Sequence, residues 1–224
     1  MLKAIAIDLD DTLLDTSGIL VKKASEDSFK ILIQAGLKLS LKECEQLRSS
    51  LIKHMSHKAV FKKLATEHGN YKTEAAVNDA ITAFYDPELP NYLPLLPGAK
   101  ENLEYLKNKY VLTLVTAGTL NGQKNKIQSL GIEPYFQSIY IVDSLEKKKK
   151  LDAFKDVLQK YHLHPEQLLC IGNSLLSEIK DALEIGAIAC HFKFGEERGD
   201  VSSLRIHPHY TISSHHELIP TCKL

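Results

Sequence analysis

The sequence predicts an α/β fold, a doubly wound parallel sheet that carries an inserted helical domain. Five short apolar runs are nearly continuous rather than alternating, as in parallel strands that are covered on both faces. Segments with helical character separate the last four runs, and an alternation of strand and helix indicates a sheet with helices packed on it. The interval between the first and second runs lacks strand-like patterning, which indicates the insertion.

The sheet is expected to contain five strands with clear boundaries. They are KAIAIDL (3–9), VLTLVTA (111–117), SIYIV (138–142), LLCIG (168–172) and AIACHF (187–192). Two intervening helices end at Gly131 and Gly186, since glycine is a common helix stop, and a third ends before Pro165. The tail HPHYTISSHHELI is expected to add a last strand and a short helix.

Residues 16–93 form the predicted insert, whose apolar residues recur at three- and four-residue spacing over about four helices. Ser40 and Glu43 have the spacing of a capping box at the start of one of these helices. The expected domains are therefore an α/β core of residues 1–15 and 94–224 and a helical cap of residues 16–93.

Composition excludes several classes of protein. The 28 basic and 28 acidic residues balance, so no net field favours nucleic acid or an anionic membrane, and no apolar run has the ~20 residues of a membrane span. Cys170 and Cys190 lie in apolar runs and are expected to be buried thiols. We expect a reduced, cytoplasmic protein that binds neither nucleic acid nor a membrane. The oligomeric state is left open.

Carboxylates cluster at the end of the first strand. Asp8 and Asp10 are two residues apart, so they point to the same side, and ligands bind beyond the carboxyl ends of strands in such sheets. Two carboxylates this close repel each other unless a proton or a cation relieves them. A bound Mg²⁺, which prefers oxygen ligands, would do so. The alternative is that these acids only end the strand and cap a turn.

Four segments favour the catalytic interpretation because of their order. They are DLDDTL (8–13), Thr116 in LTLVTAG, a lysine in EKKKKLDAF and IGNSLLSE (171–178). Together they resemble the motifs of the haloacid dehalogenase (HAD) superfamily of hydrolases. The resemblance spans the whole chain. It implies a Rossmann-like core with a helical cap inserted after the first motif.

The resemblance also implies roles for individual residues. Asp8 would be the nucleophile that forms an aspartyl-phosphate, and Asp10 would protonate the leaving alcohol and then accept a proton from water. The Thr116 hydroxyl and the backbone N–H groups of Ala117 and Gly118 would bind the phosphoryl oxygens. Family members often carry asparagine at the position of Ala117, and glycine at the position of Asp11, which is expected only to stabilise the turn.

A lysine would neutralise the nucleophile and the phosphoryl group. Four consecutive lysines, 147–150, are candidates, and the family's spacing of six residues before a phenylalanine, here Phe154, selects Lys148. The other three are expected to lie at the solvated start of a helix.

The fourth motif departs from the family pattern, in which two aspartates occupy the positions of Asn173 and Glu178. An asparagine oxygen can bind Mg²⁺ but removes one negative charge, while glutamate keeps the charge on a longer arm. The predicted metal ligands are Asp8, Asp10, Asn173 and Glu178.

Three functions remain open on the sequence. The first is a Mg²⁺-dependent phosphatase acting on a small phosphorylated metabolite. The second is a 2-haloacid dehalogenase, against which Asp10 argues because a halide leaves without a proton. The third is a non-catalytic relative that binds a phosphorylated ligand or a partner protein. Four polar residues of the cap have two possible roles. They would either select a second anionic group on the substrate or lie on solvated helix faces; they are Arg48, His54, His57 and Lys58.

Overall fold

The computed structural model describes residues 1–143, 149–196 and 205–224. Within these ranges, six strands form a single sheet in which every neighbouring pair is parallel. The strands are β1 (Ala4–Ile7), β2 (Val111–Gly118), β3 (Ser138–Asp143), β4 (Leu168–Gly172), β5 (Ile188–Phe192) and β6 (Tyr210–Ile212). The predicted fold class and all five predicted strands are confirmed, and β6 is the strand expected from the tail.

The strand order places β1 at the centre of the sheet. The order is β3-β2-β1-β4-β5-β6, so β1 pairs with β2 on one side and with β4 on the other. All four residues of β1 are buried, which explains its uninterrupted apolar sequence. The strand order reverses between β1 and β4, and in open α/β sheets ligands bind beyond the carboxyl ends of the strands at such a point.

The chain divides into two compact units. The α/β unit comprises Met1–Thr16, Leu89–Gly195 and Arg205–Leu224, and the helical unit contains Ser17–Glu88 and Glu196. The helices of the α/β unit are α6 (Ala99–Leu106), α7 (Leu120–Leu130), α8 (Lys150–Lys160), α9 (Lys180–Glu184) and α10 (Leu218–Cys222). Those of the helical unit are α1 (Lys22–Gln34), α2 (Leu41–Leu51), α3 (His57–His68), α4 (Tyr71–Ala75) and α5 (Val77–Tyr85).

Apolar side chains from the helices cover the sheet of the α/β unit. Phe154 and Val157 of α8 pack with Ala6 of β1 and Val115 of β2 in one buried cluster. Full burial of a residue such as Phe154 stabilises the fold by about 1.5–3 kcal/mol. The helices thereby hold the strand ends, and the polar residues on them, at fixed positions.

The helical unit has its own core, centred on aromatic rings. Phe61 lies edge-on to Phe29 and to Phe84, with ring centroids 5.2 and 5.4 Å apart. The capping box predicted at the start of α2 is present, with the Ser40 amide donating to Glu43 at 2.7 Å. The fourth predicted helix is divided into α4 and α5, because Ala76 has a ψ of −4°, away from helical values.

Buried charges are paired inside the helical unit. Arg48 donates to Glu196 and to Glu45, each at 3.0 Å, and His57 lies 3.3 Å from the second Glu196 oxygen. Arg48 and His57 are buried, so the expectation of solvated helix faces is wrong for these two residues, while His54 is exposed. A buried charge needs a partner, and the carboxylates supply it.

The pKa of Glu196 reflects this pairing. Burial alone would raise it, but the contacts with His57 and the charge of Arg48 lower the pKa from 4.5 to about 2.

The four cysteines are free and buried, as expected for Cys170 and Cys190. Among the described residues, none of the helices combines the length and apolar character that a membrane crossing requires.

Replacing Glu196 by glutamine tests this pairing. A carboxylate whose pKa is depressed stabilises the fold above its unfolded pKa, and this contribution is lost as the pH falls through the folded pKa. We therefore expect Glu196→Gln to lower the free energy of unfolding by about 1–3 kcal/mol at pH 7, discounted for partial exposure. The difference from the wild type should shrink between pH 5 and about pH 2 in urea titrations.

Glu67→Gln is the matched control, since Glu67 forms an exposed pair with Lys63 on α3. This change should cost less than about 1 kcal/mol at any pH. A difference for Glu196→Gln that stays constant with pH would contradict the charged pairing.

Candidate active site

A tight turn follows β1 and presents the first two acidic residues. The Asp8 amide donates to the carbonyl of Ile171 at 2.9 Å, so Asp8 continues the pairing with β4. The Leu9 carbonyl accepts from the amides of Leu13 and Leu14 at 2.9 and 3.1 Å, and the Leu9 side chain is fully buried. The Asp10 carboxylate lies near enough to Asp8 to contribute to the raised pKa of that residue.

Asp11 holds the turn in a conformation that favours glycine. Its φ is +54°, its amide donates to the Leu14 carbonyl at 2.8 Å, and its side chain is buried. A Cβ atom on Gly195, whose φ is +74°, would lie 2.3 Å from the Asp11 Cγ atom. The Asp11 carboxylate therefore occupies space that is open only because residue 195 is a glycine.

Asp8 shares one buried lysine with Glu178. The Nζ atom of Lys150, at the start of α8, lies 2.6 Å from an Asp8 oxygen and also contacts a Glu178 oxygen. All three side chains are about 4% exposed. One ammonium group is thus the direct cationic partner of two buried carboxylates.

This arrangement shifts the pKa values of Asp8 and Lys150. Burial raises the pKa of Asp8 well above its usual range; Lys150 lowers it in part, and the neighbouring Glu178 and Asp10 carboxylates raise it further. Burial would lower the pKa of Lys150, but the charges of Asp8 and Glu178 raise it. The lysine therefore stays protonated, and the two carboxyl groups have one positive charge between them.

The structure brings Lys150 to the nucleophile position. The expectation that Lys150 lies at a solvated helix start is wrong, because it is the first residue of α8 and points inward. Lys148, chosen from the spacing to Phe154, lies outside the described residues. A run of four identical side chains carries no signal for which one faces the sheet; that depends on where α8 begins.

Glu178 is directed inward. It lies in a π-helical turn, Leu175–Ile179, and its second oxygen accepts from the Ser174 amide at 3.1 Å. A Cβ atom on Gly172 would lie 2.6 Å from the Glu178 Cγ, so the side chain packs directly on the end of β4. The longer arm of glutamate is accommodated by this close approach.

Asn173 directly follows β4. Its side-chain nitrogen donates to the Phe194 carbonyl at 3.2 Å, and its main-chain carbonyl lies 3.1 Å from the His191 Nε2 atom. Because the amide nitrogen is engaged, the amide oxygen is the atom left for a ligand.

Asp10 is held by a second, separate set of side chains. Lys126 of α7 lies 2.7 Å from one Asp10 oxygen, which also accepts from the Thr16 hydroxyl at 2.6 Å. The Gln123 amide donates to the other oxygen at 2.9 Å. Burial would raise the pKa of Asp10, but Lys126 and these hydrogen bonds lower it to about 2.

Gln123 links this set to the end of β2. Its side-chain amide also donates to the Thr116 hydroxyl and, at 3.3 Å, to the Ala117 carbonyl. Thr116 is fully buried, and Ala117 and Gly118 complete β2 beside β3. The predicted phosphate-binding residues thus lie at the strand end next to β1.

Sequence reasoning missed Gln123 and Lys126. They are three residues apart on one face of α7, and both are buried polar residues in a helix whose neighbours Lys124 and Asn125 are exposed. Their spacing is ordinary for any helix, so the only signal was that two polar residues fall on the apolar face.

The residues around Asp8 fit a hard divalent cation in charge and in donor chemistry. Asp8 and Glu178 share a single ammonium group, and the available donors are oxygen atoms of Asp8 and Asn173. Across residues 1–143, 149–196 and 205–224, no three or more His, Cys, Asp and Glu side chains form a metal-holding group. Metal binding by Asp8, Asp10, Asn173 and Glu178 remains a prediction, and the three carboxylates among them contact lysines.

The family follows from a comparison of the whole sequence. Residues 5–190 match the model of the haloacid dehalogenase-like hydrolases. The chain belongs to this family. The resemblance inferred from four short motifs is therefore confirmed, and the protein is a HAD-like hydrolase.

Curated relatives of this hydrolase cover most of its length. A glyceraldehyde 3-phosphate phosphatase from Methanothermobacter thermautotrophicus is 30% identical over 194 residues, which cover 84% of this chain and 84% of that protein. A glyceraldehyde 3-phosphate phosphatase from Pyrococcus furiosus is 29% identical over 203 residues, which cover 87% of this chain and 82% of that protein. An N-acylneuraminate-9-phosphatase from Mus musculus is 25% identical over 230 residues, which cover 96% of this chain and 92% of that protein.

Solved structures of similar fold support the same architecture. A predicted phosphoglycolate phosphatase from Haemophilus somnus 129pt has a TM-score of 0.74 at 21% identity, covering 98% of this chain and 97% of that chain. The HAD-hydrolase YfnB from Bacillus subtilis, bound to magnesium, has a TM-score of 0.67 at 20% identity with the same coverage. At these identities the likeness establishes the fold alone.

Replacing Lys150 by methionine should destabilise the protein. Removing the cation leaves Asp8 and Glu178 buried without their shared partner, which we expect to cost about 3 kcal/mol in the free energy of unfolding. Denaturant titration measures the change, and Lys155→Met, at an exposed position of α8, is the control. The assignment fails if Lys150→Met is as stable as the control, or if Lys148→Met costs more.

The contact between Asp11 and Gly195 predicts a strong coupling between the two positions. Gly195→Ala places a methyl group against the Asp11 carboxylate at a positive φ and should cost roughly 2–4 kcal/mol in the free energy of unfolding. In the Asp11→Gly background the same change should cost at least about 1 kcal/mol less. A double-mutant cycle measures this coupling, and strictly additive changes would rule out the contact.

Proposed function

We propose that this hydrolase is a Mg²⁺-dependent phosphatase that hydrolyses a small phosphorylated metabolite through an aspartyl-phosphate intermediate. The observation that carries the proposal is the pair of carboxylates after β1, each held by its own lysine: Asp8 by Lys150 and Asp10 by Lys126. Two carboxylates with different roles need different environments, and these two have them.

In the first step, Asp8 attacks phosphorus. A carboxylate oxygen of Asp8 forms a bond to phosphorus while the bond from phosphorus to the leaving oxygen breaks and its electron pair stays on that oxygen. Lys150 offsets the charge of Asp8 and of the phosphoryl group. The negative charge of the incoming phosphate favours a protonated Asp10, which then supplies a proton to the leaving oxygen.

In the second step, Asp10 acts as the base. It takes a proton from a water molecule, whose oxygen attacks phosphorus and releases Asp8 as a carboxylate together with inorganic phosphate. Asp10 ends this step protonated, which is the form that the first step requires. Thr116 and the backbone amides of Ala117 and Gly118 hold the phosphoryl oxygens throughout.

Magnesium is the cofactor that we propose for this site. Asp8 and Asn173 would hold it, with Glu178 as a further candidate, and it would offset charge on the phosphoryl oxygens when bound. The contact of both Asp8 and Glu178 with one lysine supports this assignment, since a further cation would relieve their mutual repulsion.

A short phosphorylated carbonyl or polyol compound is the proposed class of substrate. The two relatives that are 29–30% identical are phosphatases named for glyceraldehyde 3-phosphate, which supports a triose phosphate. A phosphorylated nine-carbon acylamino sugar is the second candidate, supported by the relative named for N-acylneuraminate 9-phosphate.

We propose that the helical unit acts as a cap that selects the leaving group. It is inserted directly after the turn that bears Asp8 and Asp10, an arrangement typical of caps in this family. Arg48 and His57 are already paired with Glu196, which argues against their binding a second anionic group. The exposed His54 has no such pairing among the described contacts and remains a candidate.

Two other functions are less well supported. A dehalogenase would not need Asp10, yet Asp10 is held by three side chains. A non-catalytic binding protein would not need a lysine shared between two buried carboxylates, which costs desolvation energy. Cytoplasmic localisation is part of the proposal and rests on a small metabolite as the substrate.

Activity measurements test this function. With Mg²⁺, the protein should release phosphate from p-nitrophenyl phosphate and, more efficiently, from glyceraldehyde 3-phosphate. EDTA should abolish turnover, and Asp8→Asn should lower kcat on the order of 10⁴-fold because the nucleophile is lost. Circular dichroism checks that the variant remains folded.

Different outcomes would select the other functions. Halide release from 2-haloacids, unaffected by EDTA, would establish a dehalogenase instead. Absence of turnover with both classes of compound in a folded protein would favour a binding role. Efficient hydrolysis of N-acylneuraminate 9-phosphate but not of triose phosphates would select the second substrate.

A further inference from the structure

Two buried residues of α7 are not used by the proposed chemistry. Gln123 and Lys126 are 1% and 6% exposed, and both direct their polar groups at the Asp10 carboxylate, at 2.9 and 2.7 Å. Their separation of three residues places them on one face of the helix. Burying an ammonium group and an amide is costly unless each is well paired, and here the partner is Asp10.

The contacts define one orientation of the Asp10 carboxylate. One oxygen accepts from Lys126 and from the Thr16 hydroxyl at 2.6 Å, and the other accepts from Gln123. Rotation of the carboxylate about its bond to Cβ would break contacts from two separate chain segments. Gln123 also donates to the Thr116 hydroxyl. The same amide therefore connects Asp10 by hydrogen bonds to the end of β2, where we propose that phosphate binds.

We propose that Lys126 and Gln123 are positioning residues that fix Asp10 where the leaving oxygen of the substrate lies, and so adapt the enzyme to alkyl phosphates. This inference rests on the proposed phosphatase function.

The chemistry of the leaving group makes the inference testable. When the bond to phosphorus breaks, an alkoxide oxygen keeps the electron pair and needs a proton from Asp10 at that moment. A p-nitrophenolate ion is stable without that proton. Displacing Asp10 should therefore slow phosphoryl transfer from an alkyl phosphate far more than transfer from p-nitrophenyl phosphate.

The experiment measures kcat/KM for both substrates, since this ratio reports the steps up to phosphoryl transfer. The probes are glyceraldehyde 3-phosphate and p-nitrophenyl phosphate, with release of inorganic phosphate as the signal. Lys126→Met should lower kcat/KM for the alkyl phosphate by roughly 100-fold or more but for p-nitrophenyl phosphate by less than about 10-fold. For the alkyl phosphate the loss should fall on kcat, with little change in KM.

Three further variants sharpen the result. Lys126→Arg keeps the charge and should recover at least part of the lost activity on the alkyl phosphate. Lys124→Met, at an exposed position of the same helix, should leave both substrates unaffected. Thr16→Val removes a single contact with little change in volume, so a selective loss of about 3–10-fold is expected even if Lys126→Met does not fold.

An equal loss on both substrates in Lys126→Met or Thr16→Val, with an active wild type, would overturn the positioning role and leave the phosphatase proposal intact. A folded wild type that hydrolyses neither substrate would overturn the phosphatase proposal itself. The two failures are therefore distinguishable.

Discussion

The burial of carboxylates at the end of the central strand constrains the rest of the α/β unit. Asp8 and Glu178 lie where water is nearly excluded, and a charge in such a place must be paired. Lys150 meets this need because α8 begins beside the strand ends and is held there by Phe154 and Val157. The packing of an apolar helix face thus decides which charges meet at the sheet edge.

The two acids after β1 are separated electrostatically although only one residue lies between them. The pKa of Asp8 is raised by burial, and that of Asp10 is lowered to about 2 by Lys126 and its hydrogen bonds. The proposed chemistry needs Asp8 ionised and Asp10 protonated, the reverse of this order, so the charge of the incoming phosphate has to raise the pKa of Asp10. Two different helices, α7 and α8, supply the two lysines.

Much of the architecture could be predicted because it depends on local patterns. Continuous apolar runs identified the parallel strands, Gly131 identified the end of α7, and the spacing of Ser40 and Glu43 identified the start of α2. The site was predictable as far as it depends on strand ends, since Asp8, Thr116 and Asn173 all follow or end neighbouring strands. Gln123 and Lys126 were not, because their roles depend on how α7 packs.

By itself, the sequence determined that parallel strands carry acidic and hydroxyl residues at one edge, since the period of a strand and the order of motifs are properties of the chain alone. Only the tertiary structure decided that Lys150 reaches Asp8 and what surrounds Asp10. The lysines at 147–150 have identical side chains, so the sequence does not distinguish one from another. Lys150 is distinguished by its place at the start of α8, where its side chain is buried. A choice between identical side chains rests on burial, which arises when separate segments pack together.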